Sequence, residues 1–349
     1  MLRTAETPGE LYELMKGKLA NVVPDVELRY KAGLAFRINQ LKKERNAVIL
    51  GHNYMEPALY NSIPDFTGDS LELCRKAATT DADIIVFCGV RFMAETAKIL
   101  NPSRTVLIPS PKAGCSLAES ITAADVRALR ARFPGVPVVT YVNTYADVKA
   151  ESDICCTSGN AAKVVLSLGA ERVIFLPDEY LARNVAKETG RHIIFPTRTP
   201  RAGADADLDF QMVGWQGRCE VHEKFSVEDV AAVRRQFPDV VVLAHPECSP
   251  EVVAASDFSG STAAMIAWVE ESKAPRYLLL TECSMGDNIA AANPRKELLR
   301  LCSVRCPHMN EITLEMTLAS LEQTRFVVDV PEEVRTRALR AVQRMIEIG

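Results

Sequence analysis

Trp215-Gln216-Gly217-Arg218-Cys219-Glu220-Val221-His222 follows a polar loop and precedes a strong helix signal. It has a counterpart 104 residues earlier: Cys219 falls on Cys115, Asp229-Val230 on Asp125-Val126, and Phe237-Pro238 on Phe133-Pro134. Val242 falls on Val138 and His245 on Tyr141. A cysteine, a helix, a Phe-Pro break and a β-branched strand recur without a gap. A period of this length points to related domains, not to a short-period solenoid.

Outward from that repeat, the chain alternates short apolar runs with amphipathic ones. Residues 8–45 read as two helices broken near Pro24. The runs at 47–51, 83–87 and 105–108 read as strands, with helices 71–78, opened by Asp69-Ser70, and 92–100 between them. The unit closes at Cys115. A second follows the same plan, with helix 122–132 behind a Thr-x-x-Asp start, strand 138–140, a helix opened by Ser158-Gly159-Asn160, strand 172–176, helix 178–188 and strand 192–195. It closes at Cys219. The third has helix 226–236, strand 240–244, a helix opened by Gly260-Ser261-Thr262, and strand 277–281. It closes at Cys306, and residues 311–322 and 331–348 read as helices.

Such alternation implies parallel sheets covered on both faces. The expected fold is therefore α/β: three homologous small α/β/α domains with short parallel sheets, arranged around a pseudo-threefold axis. The expected boundaries are a helical extension over 1–34, then domains 35–114, 115–218 and 219–309, with helices 310–349 on the first.

Ligands of parallel α/β sheets gather beyond the carboxyl ends of strands. Those ends carry His52/Tyr54, Tyr141/Asn143 and His245/Glu247, each spaced i, i+2 so that both members can face one side. One cleft lined from three domains is the economical interpretation. Tyr54, Tyr141 and Glu247 are acid–base candidates. Ser158 and Ser261-Thr262, at helix starts, either hold an anion or cap their helices; Ser70 reads as part of a cap.

The three closing cysteines would meet at the axis. Thiolates suit zinc or an iron–sulfur cluster, and three leave one coordination position open. His222, three residues after Cys219, has zinc-ligand spacing and equally fits a hydrogen-bonded histidine beside the site. Cys74 and Cys88 sit in apolar periodic contexts and read as buried thiols, as do the adjacent Cys155 and Cys156. His192 reads as surface.

Composition excludes several classes. A net charge of −4 without a basic, aromatic-interleaved cluster argues against nucleic acid. No apolar run is long enough for a membrane span, and the N-terminus lacks a secretory core. Ten cysteines without such a signal suggest the cytoplasm. There is no Walker loop and no Gly-x-Gly-x-x-Gly.

Several motifs together resemble the quinolinate synthase family. They are Gly51-His52-Asn53-Tyr54, Pro111-Lys112-Ala113-Gly114-Cys115-Ser116-Leu117-Ala118, Trp215 to His222, His245-Pro246-Glu247-Cys248, Gly260-Ser261-Thr262 and Cys306-Pro307-His308-Met309. The resemblance runs from about residue 35 to about 325. It implies a transferase of de novo NAD (pyridine nucleotide) biosynthesis that condenses iminoaspartate, made by L-aspartate oxidase, with dihydroxyacetone phosphate to give quinolinate, phosphate and water. It also implies one [4Fe–4S] cluster per chain, held by Cys115, Cys219 and Cys306, whose open iron is a Lewis acid.

Under that resemblance His52, Tyr54, Tyr141, His245 and Glu247 are the catalytic candidates. Ser70, Asn143, Ser158, His222, Ser261 and Thr262 join His52, Tyr141, His245 and Glu247 in binding substrate. Some members carry Cys-x-x-Cys-x-x-Cys at the third ligand; here Cys302-Ser303-Val304-Arg305-Cys306 stands instead, so a regulatory disulfide does not carry over. Two rival classes remain: a zinc-dependent aldolase or dehydratase using Cys219 with His222, and a non-enzymatic three-repeat scaffold.

Overall fold

The computed structural model describes residues 5–197, 209–301 and 304–348. Within them the chain is α/β, with three short sheets whose strands all pair in parallel. The first holds β1 (Ala47–His52), β2 (Phe66–Gly68), β3 (Ile84–Cys88) and β4 (Thr105–Leu107), in the order β2-β1-β3-β4. The second holds β5 (Val138–Tyr141), β6 (Ile154–Cys156), β7 (Val173–Leu176), β8 (Ile193–Ile194) and β9 (Met212–Gly214), in the order β6-β5-β7-β9-β8. The third holds β10 (Val241–Ala244), β11 (Phe258–Ser259), β12 (Arg276–Leu280) and β13 (Glu297–Arg300), in the order β11-β10-β12-β13. The aliphatic runs Val48-Ile49-Leu50, Val138-Val139 and Val242-Leu243 are buried, as strands covered on both faces must be.

The repeat goes deeper than its cysteine. An aspartate opens each short edge strand and braces the strand beside it. Asp65 accepts the Ile49 N–H at 2.8 Å and returns its own N–H to the Ile49 carbonyl at 2.8 Å. Asp153 does the same to Val138 at 2.7 and 3.0 Å, and Asp257 to Val242 at 2.8 and 2.9 Å. The preceding helix supplies a cation to each carboxylate: Lys42 at 2.9 Å, Arg130 at 2.6 Å and Arg234 at 3.0 Å. Three buried N–H groups that the edge strands are too short to satisfy are thereby paired.

Of the C-terminal helices expected on the first unit, Leu314–Gln323 packs against helix Asp25–Glu44. Glu332–Ile348 instead spans the first and second sheets. Arg75 donates to the Ile346 carbonyl, while Asn160 donates to the Met345 carbonyl and Arg344 to the Asp153 carbonyl. Its buried stripe, Ala338, Ala341, Val342 and Met345, needs apolar surface from both sides. Among the described residues no helix is long and apolar enough to cross a membrane.

Candidate active site

The strands β1, β5 and β10 end at one cavity. It receives His52 and Tyr54 from the first sheet, Tyr141 and Asn143 from the second, and His245 and Glu247 from the third. In both histidine pairs the ring is oriented by its own backbone. The Tyr54 N–H donates to His52 Nδ1 at 3.2 Å, and the Glu247 N–H donates to His245 Nδ1 at 3.3 Å. With Nδ1 an acceptor, a neutral ring carries its hydrogen on Nε2. Both rings are neutral: burial lowers His52 to about 4 against the pull of Glu247, and burial with His222 lowers His245 to about 3. Each is an Nε2–H donor near neutral pH, and His245 Nε2 lies 3.3 Å from Ser158 Oγ.

Glu247 is the hub. It is 3 % exposed, and its oxygens take Tyr141 Oη at 2.5 Å, Asn143 Nδ2 at 3.4 Å and His222 Nδ1 at 2.7 Å. Burial alone would raise its carboxyl; the His222 and His245 rings and the donated hydrogens outweigh that and hold it well below the usual carboxylate range. Tyr54 and Tyr141 are pushed the other way, by burial first and by Glu247 next, so both phenols keep their protons. The cavity thus holds one buried anion among neutral donors.

Cys115, Cys219 and Cys306 share this cavity. Of the nine free cysteines described, these three are half-exposed and the other six are buried. Each precedes a short turn: helix Ser116–Glu119, the 3-10 turn His222–Lys224 and the 3-10 turn Met309–Glu311. Each sulfur receives two main-chain N–H groups, from two and three residues on: Leu117 and Ala118, Val221 and His222, His308 and Met309. Each loop is also pinned two residues before its cysteine. The N–H of Arg91 donates to Ala113 O at 2.8 Å, that of Glu179 to Gly217 O at 2.8 Å, and that of Cys283 to Val304 O at 3.2 Å. At Gly217 a Cβ would sit 2.5 Å from Ser120 Oγ and 2.6 Å from Pro177 O, so no side chain fits there. Burial keeps all three thiols above their ordinary range, Cys306 at about 11, with the N–H donors pulling downward. Separately, Cys219 Sγ, His222 and Glu247 offer ligand atoms within 4.8 Å of one another.

Ser70, Ser158 and Thr262 line the wall where helices begin. Ser70 opens Ser70–Ala78, capped by Asp69, and Thr262 opens Thr262–Glu271 while accepting from Asn53 Nδ2 at 2.9 Å. Such termini attract anions. Ser261 is off the wall; its hydroxyl caps the same helix by accepting the Ala264 N–H. His192 is exposed, and Cys74, Cys88, Cys155 and Cys156 are buried. Cys302 lies outside the described residues.

Three residues at the ends of β7 and β12 escaped the sequence reading. Asp178 is fully buried; one oxygen caps the next helix, and the other has no partner among the described residues. Burial, then Glu247, raises its carboxyl well above the usual range. Glu282, 104 residues later, is its counterpart. Burial pushes Glu282 up to about 7, and it accepts the Ser284 N–H at 2.7 Å and the Ser284 hydroxyl at 3.3 Å. Thr281 joins Tyr54 to His222 at 2.6 and 3.0 Å. Only the 104-residue offset marked Asp178 and Glu282, and nothing marked Thr281.

Comparison with known proteins places the chain among similar sequences. The profile described as quinolinate synthetase A protein matches residues 36–347. Quinolinate synthase 2 of Mesorhizobium japonicum is 54% identical over 95% of this chain and 96% of its own length. Quinolinate synthases of Xylella fastidiosa (54%, covering 89% of this chain and 86% of theirs) and Caulobacter vibrioides (49%, covering 95% and 86%) are also similar.

Proposed function

The chain belongs to the quinolinate synthetase A protein family, and on that premise we propose that it is a quinolinate synthase. In this reading it condenses iminoaspartate, supplied by L-aspartate oxidase, with dihydroxyacetone phosphate in the cytoplasm. Quinolinate for NAD synthesis, phosphate and water are the products. Three domains, 35–114, 115–218 and 219–309, surround the site.

One observation carries the reading: the three half-exposed cysteines face the same cavity as one ionised carboxylate and two neutral imidazoles. The donor set fits a [4Fe–4S] cluster on Cys115, Cys219 and Cys306. Each sulfur already receives two N–H groups, which stabilise a thiolate once a cation displaces its proton. When bound, the cluster supplies Lewis-acid chemistry at the one iron that no cysteine holds.

The remaining work falls to side chains. Glu247, ionised and oriented by Tyr141, Asn143 and His222, takes protons from the carbons and hydroxyls that lose them during condensation and dehydration. His52 and His245 present Nε2–H to carbonyl or carboxylate oxygens, acting as fixed donors rather than bases. Tyr54 and Tyr141 position the triose-derived oxygens and return protons. Ser70, Asn143, Ser158 and Thr262 bind phosphate and then the quinolinate carboxylates. Ser261 supports them by capping its helix.

The Cys219–His222–Glu247 cluster favours one rival, a zinc-dependent aldolase or dehydratase. Anaerobic purification separates the two. The cluster reading expects a brown protein with about four iron and four sulfide per chain, forming quinolinate from the two substrates. Alanine at Cys115, Cys219 or Cys306 should then abolish colour and product together. A colourless zinc protein that forms no quinolinate and takes up no cluster on reconstitution would overturn it.

A further inference from the structure

We infer that Thr281 is a positioning residue of this site: its hydroxyl bridges Tyr54 Oη and His222 Nε2 and so holds in place two side chains of a hydrogen-bonded chain that ends at Glu247. The inference rests on the proposed function for its turnover readout, but the geometry stands without it. Thr281 is 3 % exposed, follows β12, and does not line the cavity. Its Oγ1 lies 2.6 Å from Tyr54 Oη and 3.0 Å from His222 Nε2. The direct Tyr54–His222 separation is 3.5 Å, at the limit of a hydrogen bond. The short path therefore runs through the threonine.

The His222 ring is held on both sides: Nδ1 lies 2.7 Å from Glu247 and 3.2 Å from Cys219 Sγ, and Nε2 meets Thr281 Oγ1. A hydroxyl both donates and accepts, so Thr281 can serve Tyr54 Oη and His222 Nε2 together. A methyl group in place of the hydroxyl would leave both of those buried groups without their shared short partner.

The test uses anaerobically purified holoenzyme carrying Thr281→Val, which removes only the hydroxyl, and Thr281→Ser, which keeps it. Thr281→Val should lower turnover by about tenfold to a hundredfold, with KM and iron content within about twofold of wild type. Thr281→Ser should restore turnover to within about threefold. In a Tyr54→Phe background Thr281→Val should add little. A readout independent of turnover is the ring ¹⁵N spectrum of histidine-labelled protein, which has five histidines. Thr281→Val should move the His222 Nε2 resonance, because the ring loses its short partner there, and Thr281→Ser should leave it near its wild-type position. Undiminished turnover in Thr281→Val, equal damage in Val and Ser variants, or a His222 Nε2 resonance unmoved by Thr281→Val would each overturn the inference. A wild-type protein that makes no quinolinate would sink the functional reading alone, because the ring spectrum would still report whether Thr281 holds His222.

Discussion

A single carboxylate governs the chemistry available to its neighbours. Glu247 is buried yet ionised because three groups donate to it, and the polarity of His222 and Tyr141 follows. On the proposed function, Glu247→Gln should lower turnover by about 10²–10⁴-fold without changing iron content, since an amide would neither take the proton nor orient the ring. Steady-state rates alongside iron content check this. His52 and His245 make a prediction about stability. Their folded values, about 4 and about 3, lie below the unfolded value near 6.5. The unfolded chain binds more protons in that window, so this contribution is complete above about pH 6.5 and falls away on acidification. For His52 it is on the order of 3 kcal/mol. Urea unfolding of His52→Gln should accordingly show a shallower loss of stability between about pH 6.5 and 4 than wild type, and parallel curves would refute the assignment. The strand-end pairs were legible in the sequence because each closes an apolar β-branched run. Thr281 was not, because one threonine after Leu278-Leu279-Leu280 looks like the end of any strand, and its partners come from sequence far away.

At the scale of elements, the aspartate braces explain how two- and three-residue edge strands persist. Alanine at Asp65, Asp153 or Asp257 strands the N–H of Ile49, Val138 or Val242 and frees a cation, at a cost of about 1–3 kcal/mol. Chemical denaturation with an unchanged slope should show comparable losses for all three variants. Those edge strands, β2, β6 and β11, were invisible to periodicity because two or three residues display no alternation. Helix Cys283–Ala292 was missed as well: Gly286, Asp287 and Asn288 sit in its centre, and local propensity speaks against what packing imposes. The third cysteine loop hangs on that helix, because the Cys283 N–H donates to the Val304 carbonyl, so the reading lacked the element that supports it.

Across the whole molecule, the site needs all three sheets, and the arrangement is strapped by helix Glu332–Ile348. Met345 is fully buried, and its carbonyl accepts from Asn160, whose own carbonyl oxygen accepts the Thr157 N–H beside Ser158. Met345→Ala should lower the unfolding free energy by about 2–5 kcal/mol, and Asn160→Ala, which removes both hydrogen bonds that tie the helix to the Ser158 turn, should raise KM more than it lowers turnover. Denaturation of the first variant and kinetics of the second check both halves. That three units share one cleft was legible from the repeat and its strand-end pairs. How the terminal helices distribute themselves was not, since an amphipathic stripe says that it needs a partner and not which one.

That strap also sets an order in time. Domains of a growing chain fold from the N-terminal side as they emerge, at about 5–20 residues per second. The Ser158 wall belongs to the second sheet, yet its support arrives with Met345, after all three sheets and the third cysteine have been made. A nascent chain can build every strand and still lack a finished pocket. The pocket's last wall is therefore finished only when the final helix docks.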